Sequence, residues 1–270
     1  MTTYFRFMIF PFQYKMKRVK SFISYVIPIS KKIKSQHNGT LEINWINGRK
    51  VLDSANANYS YGNLQKALEF GLEKLNLKKV NSILVLGMGG GSVIHSLRSK
   101  FKSEANITAI ELDSEIVKIA KEEFELGTFP NIEIVEANAM DFVQSSNQNF
   151  DLTIVDLFID DRVPEDFYGL SFWKEVLRIT PKGQVLFNSG MTHEQTFHLQ
   201  PLFKLLSQHQ IQKLRFQQNT FRIVKSGDGG HDVVLHSSEA NRLLSLTKKL
   251  QQWTDRLRIL KSESCSVAKA

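Results

Sequence analysis

Ser82–Gly91 reads SILVLGMGGG, an apolar run that leads into a glycine-rich turn. A short continuous apolar run is typical of a buried parallel strand, and the glycines allow a tight turn in which the backbone can approach a ligand. The helix predicted over residues 92–101 points its unpaired N–H groups at whatever occupies that turn. A second strand ends at Glu111, about twenty residues on, where a carboxylate can accept hydrogen bonds from ribose hydroxyls. This pattern predicts the first half of a nucleotide-binding α/β unit.

The spacing of the glycines is compatible with two classes of nucleotide-binding fold. A dinucleotide fingerprint has the form G-x-G-x-x-G, and its last glycine would fall on Ser92. Gly87, Gly89 and Gly91 instead give G-x-G-x-G, which resembles the first motif of the class I S-adenosylmethionine-dependent methyltransferase fold. Because many dinucleotide folds tolerate serine at the last position, the spacing alone leaves both classes open. A glycine turn without a ligand is a third interpretation, against which the position of Glu111 argues.

The rest of the chain alternates strands with helices. Further strands are predicted at Ile107–Ile110, Ile132–Glu136, Leu152–Asp156 and Gln184–Phe187, and closing antiparallel strands at Lys213–Gln218, Phe221–Val224 and Val233–His236. Near the N-terminus, Asn47-Gly48 lies between two strand-like runs and predicts a hairpin. We therefore predict an α/β protein with a Rossmann-like class I methyltransferase fold: a mostly parallel seven-stranded sheet with helices on both faces, preceded by a small N-terminal β-hairpin.

Four segments follow from this pattern. They are a basic, partly apolar leader (1–38), the hairpin with a tyrosine-bearing loop (39–62), a nucleoside-binding domain (63–237), and a C-terminal surface helix with a tail (238–270). The single cysteine, Cys265, excludes a disulfide framework and fits a reducing cytoplasm. The histidines are scattered without ligand spacing, so we predict no metal.

The net charge of +8 comes from the leader. Residues 1–35 hold eight basic residues and no acid, so the remainder has 35 − 8 = 27 basic against 27 acidic residues. A nucleic-acid enzyme usually carries its basic stripe on the folded body, and we therefore predict no specific nucleic-acid partner. The leader is interpreted either as a solvated segment or as a peripheral contact with an anionic membrane surface.

Two later stretches carry a family resemblance. Asp151–Phe158 reads DLTIVDLF, and Pro181–Asn188 reads PKGQVLFN. With the glycine turn, they resemble the spermidine synthase family and its relatives within the methyltransferase fold, which share a strand ending in an active-site aspartate, a Pro-x-Gly turn and a β-rich N-terminal piece. The resemblance covers Leu41 to Asn188 and implies a transferase that uses S-adenosylmethionine or its decarboxylated form, a small-molecule acceptor and a homo-oligomer.

The resemblance also implies site residues. The implied cofactor-binding residues are Gly87, Gly89, Gly90, Gly91, Glu111, Leu112, Asn138, Ala139 and Asp156. Among them, Glu111 would hold the ribose, while Asn138 and Ala139 would flank the adenine. Asp156 and Tyr61 are the implied catalytic residues, the first as general base beside the sulfonium and the second as a wall of the site. Ordinary packing is the alternative interpretation for Tyr61, and capping of the loop around residue 162 is the alternative for Asp156.

The departures from the family matter for the substrate. Aminopropyltransferases typically have one aspartate inside the glycine turn and another three residues after the strand-end aspartate, and both help to hold cationic amines. Gly90 and Ile159 stand there, with Asp160 and Asp161 one residue out of register. Since a buried dication without carboxylates is costly, we slightly favour methyl over aminopropyl transfer. A catalytically silent nucleoside-binding module is the alternative, followed by an NAD-dependent oxidoreductase.

Overall fold

The structure is a computed structural model that describes residues 19, 21–27, 29–54, 58–160, 162–190, 202, 205, 209–216 and 219–225. All of them belong to the first of two compact units, Met1–Gly227, and the second unit, Asp228–Ala270, lies outside the described ranges. The predicted strand at Val233–His236, the C-terminal surface helix and Cys265 therefore lie outside them as well, as does most of the leader.

Within these ranges the chain forms two sheets and five helices. The strands are β1 (Ile29–Lys34), β2 (Thr40–Ile46), β3 (Arg49–Asp53), β4 (Asn58–Ser60), β5 (Ser82–Leu86), β6 (Asn106–Glu111), β7 (Ile132–Glu136), β8 (Leu152–Val155), β9 (Gln184–Asn188), β10 (Gln210–Phe216) and β11 (Asn219–Lys225). The helices are α1 (Gly62–Leu72), α2 (Ser92–Ser99), α3 (Ser114–Glu122), α4 (Ala139–Ser145) and α5 (Leu170–Ile179), with 3₁₀ turns at Leu126–Thr128 and Glu165–Tyr168.

The larger sheet has seven strands in the order β10-β11-β9-β8-β5-β6-β7. β5 lies at the centre and is parallel to β6 and β8, so that Leu86 is in register with Ile110 on one side and Val155 on the other. β7 and β9 extend the parallel arrangement. Because these five strands run the same way, their carboxyl ends meet at one edge, which is where open α/β sheets bind ligands.

A hairpin completes the sheet and separates it from the dinucleotide-binding fold. β11 is antiparallel to both β9 and β10 and is inserted between them. The dinucleotide fold places its sixth strand directly beside its fifth, and the inserted antiparallel strand breaks that order. The predicted mostly parallel seven-stranded sheet is therefore confirmed.

Helices cover both faces of this sheet, as the alternating pattern predicts. α1, α2 and α3 bury Leu68, Ile94 and Val117 in one apolar cluster with β5 and β6. α4 and α5 form the opposite layer, in which the Trp173 ring lies 4.9 Å from the Phe187 ring of β9. The site is thus supported by a core on each side of the sheet.

The N-terminal hairpin is part of a larger sheet than the sequence predicts. β2 and β3 pair as expected, but β1 and β4 add to them in the order β1-β2-β3-β4. β1 falls inside the predicted leader because its sequence, ISKKIK, has apolar residues four positions apart and so hides the two-residue period of a strand. β4 has three residues, too few to show a period.

This N-terminal sheet packs against α3, the helix that follows β6. Leu41 and Leu52 bury their side chains against Ile116 of α3. The Asp113 carboxylate caps α3 by accepting from the Glu115 N–H at 3.0 Å, and it also accepts hydrogen bonds from the Ser35 and Asn38 side chains. One buried carboxylate therefore joins the β1–β2 connection to the edge of the larger sheet.

Replacing Asp113 with Ala should lower the free energy of unfolding by about 2 kcal/mol, because the change removes a helix cap and leaves the donors of Ser35 and Asn38 without their acceptor. Urea denaturation measures the loss. Ser114→Ala, at the exposed neighbouring position, is the matched control and should change stability by no more than about 0.5 kcal/mol. Equal losses in the two variants would contradict the assigned role.

Candidate active site

The glycine turn connects β5 to α2 at the ligand edge of the sheet. Gly87, Gly89 and Gly91 all have positive φ, at 82°, 55° and 85°, a backbone region that side chains with a Cβ rarely adopt. The N–H groups of Gly87 and Met88 both donate to the Ile110 carbonyl at 3.0 Å. The turn is therefore fixed to β6, and α2 begins directly after it.

Gly87 also brings the turn against the end of β8. A Cβ built at Gly87 would lie 2.2 Å from the Asp156 carbonyl oxygen, much closer than nonbonded atoms can approach. The sequence places these two residues on neighbouring parallel strands, and the structure brings their backbones into contact. The turn and the predicted catalytic aspartate consequently share one crevice.

Glu111 ends β6 and holds the turn from the other side. Its carboxylate accepts hydrogen bonds from the Gly89 N–H at 2.9 Å and the Asp113 N–H at 3.1 Å. Burial raises the pKa of Glu111 to about 7, although the backbone donors from Asp113 and Gly89 favour its ionised form. Leu112, which follows, is 41% exposed. A carboxylate held at the rim of the turn can accept further hydrogen bonds from the hydroxyls of a ribose.

Asn138 and Ala139 lie at the end of the next strand along this edge. The Asn138 side-chain oxygen accepts from the Met140 N–H at 2.8 Å, so it caps α4. Ala139 is buried. The structure thus places both residues after β7, next to the end of β6, and gives Asn138 a helix-capping role that the sequence prediction did not include.

Asp156 follows β8, with its N–H donating to the Leu86 carbonyl at 2.9 Å. Its carboxylate accepts a hydrogen bond from the Asn188 amide at 2.8 Å. Burial raises the pKa of Asp156 to about 6, and the amide donor partly offsets this. The residue as a whole is half-buried. A carboxylate of this kind is suited to accept a proton near neutral pH.

Asn188 is a site residue that the sequence prediction missed. It is buried at the end of β9, beside β8, and its side-chain oxygen lies 3.4 Å from the Gly190 N–H. That contact turns the amide nitrogen towards Asp156. The sequence contained a signal for it. Asn188 is a polar residue directly after the predicted strand Gln184–Phe187, and residues at the carboxyl ends of parallel strands lie at the ligand crevice.

Tyr61 packs against the glycine turn. Its hydroxyl donates to the Gly90 carbonyl at 3.0 Å, and its ring stacks on Phe124 at 4.3 Å and meets His95 edge-on. Burial raises the pKa of the Tyr61 hydroxyl, which keeps its proton on that donor. The φ of 69° and ψ of −167° at Tyr61 are costly for a residue with a side chain, on the order of 1–3 kcal/mol. The structure brings Tyr61 to the turn, and its catalytic role stays a prediction.

The position where the family has its turn aspartate is closed by β4. A Cβ built at Gly90 would lie 2.9 Å from the Ser60 Cβ and 3.3 Å from the Tyr61 ring. The Ser60 hydroxyl also accepts from the Ser92 N–H at 3.4 Å, at the start of α2. A side chain at position 90 would therefore displace the end of the N-terminal sheet, which no sequence pattern indicated.

The second family acid is replaced at a tight turn. Ile159 is 50% exposed and exchanges two backbone hydrogen bonds with Arg162, at 2.9 and 3.2 Å. Asp160, within this turn, accepts from the Ser54 hydroxyl at 2.6 Å. The turn is thereby tied to the N-terminal sheet, and Asp161 lies outside the described residues.

A basic group lies behind Asn188. Arg222 of β11 is 3% exposed and donates to the hydroxyl of Ser189, whose carbonyl accepts from the Tyr168 hydroxyl at 3.1 Å. Burial lowers the pKa of Arg222 to about 10, so the guanidinium is charged at neutral pH. Among the residues that the structure describes, no three His, Cys, Asp or Glu side chains are grouped so that they could hold a metal ion.

Comparison with known proteins agrees with this geometry. Residues 83–179 match the methyltransferase domain family. A polyamine aminopropyltransferase of Sulfolobus acidocaldarius is 26% identical over 117 residues, which cover 40% of this chain and 38% of the relative. The matched segment covers 24% of another curated relative, so the chain spans less than half the length of these relatives.

Solved structures show the same fold. Human methyltransferase-like protein 13 in complex with SAH has a TM-score of 0.54 at 19% identity, covering 71% of this chain and 92% of that one. A probable spermidine synthase from Corynebacterium glutamicum has a TM-score of 0.51 at 17% identity, covering 80% and 82%. The chain therefore has the class I methyltransferase fold. Over the matched segment the chain is also similar to polyamine aminopropyltransferases, which confirms the resemblance seen in the sequence.

Gly90→Ala should destabilise the protein by about 1–3 kcal/mol, because the added Cβ overlaps Ser60. Ser60→Gly in the same chain should recover part of that loss. Gly127→Ala is the matched control, since a Cβ there meets no atom within 4 Å, and it should leave stability unchanged or slightly raised. Urea unfolding of these three variants and the wild type measures the losses. A similar loss at positions 90 and 127 would show that Ser60 does not close the turn.

Glu111 should make the protein less stable as the pH rises from about 5 to about 7. The unfolded carboxyl ionises at its ordinary pKa of 4.5, whereas the folded one holds its proton until about 7, so the unfolded state binds fewer protons across this window. The contribution is on the order of 3 kcal/mol. Urea unfolding at several pH values measures it. Glu111→Gln should flatten the decline, and Glu136→Gln, exposed and in register on β7, should not. Parallel profiles for all three proteins would contradict the assignment.

Proposed function

We propose that the protein is a transferase that binds S-adenosylmethionine or its decarboxylated form and transfers a methyl or aminopropyl group to a small-molecule acceptor, with methyl transfer favoured. The observation that carries this proposal is the meeting of the glycine turn, Glu111 and Asp156 at the carboxyl ends of β5, β6 and β8. The methyltransferase domain match over residues 83–179 and the polyamine aminopropyltransferase relatives support it.

The described residues fit a nucleoside with a sulfonium group. Glu111 accepts hydrogen bonds from the ribose hydroxyls, while Asn138 and Ala139 border the adenine. The turn has no side chain at Gly89, so the ligand can lie directly over the backbone there. When bound, such a nucleoside supplies an electrophilic carbon attached to sulfur.

Asp156 is the proposed base. It lies beside the glycine turn at the end of β8, and a pKa of about 6 leaves its carboxylate ionised at neutral pH yet basic enough to take a proton from an acceptor. Asn188 donates a hydrogen bond to one oxygen of this carboxylate, and that hydrogen bond also fixes the orientation of the second oxygen. Most of the remaining rate enhancement comes from aligning the acceptor with the reacting carbon.

Methyl transfer is favoured over aminopropyl transfer by the charges around the site. Ser60 and Tyr61 occupy the space beside Gly90, where the family's amine-binding aspartate would project. Ile159 replaces the second acid, and the charged Arg222 donates a hydrogen bond to Ser189, the residue that follows Asn188. A dicationic acceptor beside Asp156 would lack the carboxylates that the family has at these two positions and would lie near a buried positive charge, which is unfavourable.

A catalytically silent nucleoside-binding module is the second candidate, because the same loss of acids is expected of a protein that has lost turnover. Asp156→Asn separates the two. In an enzyme it should lower turnover by about 100-fold or more with little change in nucleoside affinity. In a silent module there is no turnover to lose. Asp166→Asn, exposed in the 3₁₀ turn before α5, is the control and should leave both quantities unchanged.

Calorimetric titration tests the proposal directly. S-adenosylmethionine, its decarboxylated form and methylthioadenosine are each titrated with and without putrescine. Tighter binding of S-adenosylmethionine, indifferent to putrescine, is the expected result. Preference for the decarboxylated form, strengthened by putrescine, would assign aminopropyl transfer instead, and no binding of any nucleoside, with NAD bound in their place, would overturn the proposal.

The homo-oligomeric state and the cytoplasmic location implied by the resemblance are also proposals. Light scattering of the purified full chain tests the first, and fractionation of cells that produce it tests the second.

A further inference from the structure

In the segment before β1, a polar side chain is buried and the apolar side chains are exposed. Residues 21–27 form a helical turn in which the N–H groups of Val26 and Ile27 donate to the Ile23 carbonyl at 2.9 Å. This turn is attached to the β2–β3 turn through serines. The Ser24 hydroxyl accepts from the Gly48 N–H at 2.9 Å, and the Ser21 hydroxyl donates to the Gly48 carbonyl at 3.1 Å.

The apolar side chains of this segment are exposed, while Ser24 is only 3% exposed. Phe22, Tyr25, Val26 and Ile27 are 78, 66, 81 and 61% exposed. Of the ten exposed large apolar residues among those described, seven lie together here: Val19, Phe22, Ile23, Tyr25, Val26, Ile27 and Ile46. The segment is attached through its serines, and its apolar side chains do not contribute to the core. A concentrated exposed apolar patch of this kind marks an interaction surface.

The charges around this apolar patch narrow the choice of partner. The first 35 residues contain eight basic residues and no acid. Lys31 and Lys32 of β1 have side chains that are 61% and 70% exposed, and they pair with Glu123 at 3.0 Å and Glu42 at 2.9 Å. A twofold contact with a second copy would bring two of these basic segments together, which costs binding energy. The lysines on the edge strand β1 also disfavour pairing with another strand. An anionic partner is favoured instead.

We propose that Val19, residues 21–27 and Ile46 form a docking surface for an anionic lipid bilayer. Exposed aromatic and branched side chains enter the boundary between headgroups and acyl chains, while neighbouring lysines and arginines contact the lipid phosphates. Every helix within the described ranges is too short or too polar to span a bilayer, and this contact is peripheral. The proposal is independent of nucleoside binding and of Asp156.

Vesicle sedimentation of the full chain tests this inference. The protein should bind phosphatidylcholine vesicles that contain about 30% phosphatidylglycerol, bind pure phosphatidylcholine much more weakly, and be released at about 0.5 M salt. The double variant Phe22→Ser/Val26→Ser should lose about tenfold or more in partitioning. Leu170→Ser, 40% exposed at the start of α5, should bind like the wild type.

A second variant isolates the charge. Lys32→Gln/Lys34→Gln should weaken binding to the anionic vesicles and leave the weak binding to pure phosphatidylcholine unchanged. Calorimetric nucleoside titration and thermal unfolding confirm that each variant is folded. Absence of vesicle binding, equal binding of the two lipid compositions, or unchanged binding by Phe22→Ser/Val26→Ser would overturn the inference. Self-association that this variant abolishes, without vesicle binding, would assign the patch to a second copy.

Discussion

The structure depends on the tight packing of neighbouring segments around the glycine turn, residues 87–91. Position 87 is closed by the backbone that ends β8, position 90 by the end of β4, and position 91 by Leu126, whose side chain would lie 2.7 Å from an added Cβ. Three separate parts of the chain therefore meet the same five residues. The strands can approach each other closely only because the turn carries no side chains at these points, and the ligand edge of the sheet takes its shape from that approach.

Two carboxylates lie on either side of this turn in different environments. Glu111 is bound by two backbone N–H groups and is 6% exposed, whereas Asp156 is held by a single amide and is half-buried. Burial raises the pKa of both, to about 7 and about 6. The Glu111 carboxylate is suited to hold a ligand, and the Asp156 carboxylate is suited to exchange a proton. Similar residue types thus take different roles because their surroundings differ.

The larger sheet could be predicted from the sequence because its strands are continuous apolar runs separated by helices. The positions of Glu111 and Asp156 followed from the rule that parallel strands end at one edge, whereas Asn138 was implied by the family resemblance. β1 and β4 could not be predicted, since one carries three lysines and the other has three residues. The contact of Ser60 with Gly90 was also beyond sequence analysis, because it joins two segments through tertiary packing and leaves no periodic signal.

The order of strands in the two sheets has a consequence for how the chain folds. The N-terminal sheet is a meander in which every strand pairs with its neighbour in sequence, so its contacts close short loops and form early. The larger sheet must bring β8 beside β5 across about seventy residues, which is slow by the same reasoning. During synthesis the N-terminal sheet emerges first. Its apolar face is nevertheless completed by Ile116 of α3, so the N-terminal sheet gains its full core only after the first strands and helices of the larger sheet have been made, and the two sheets complete each other.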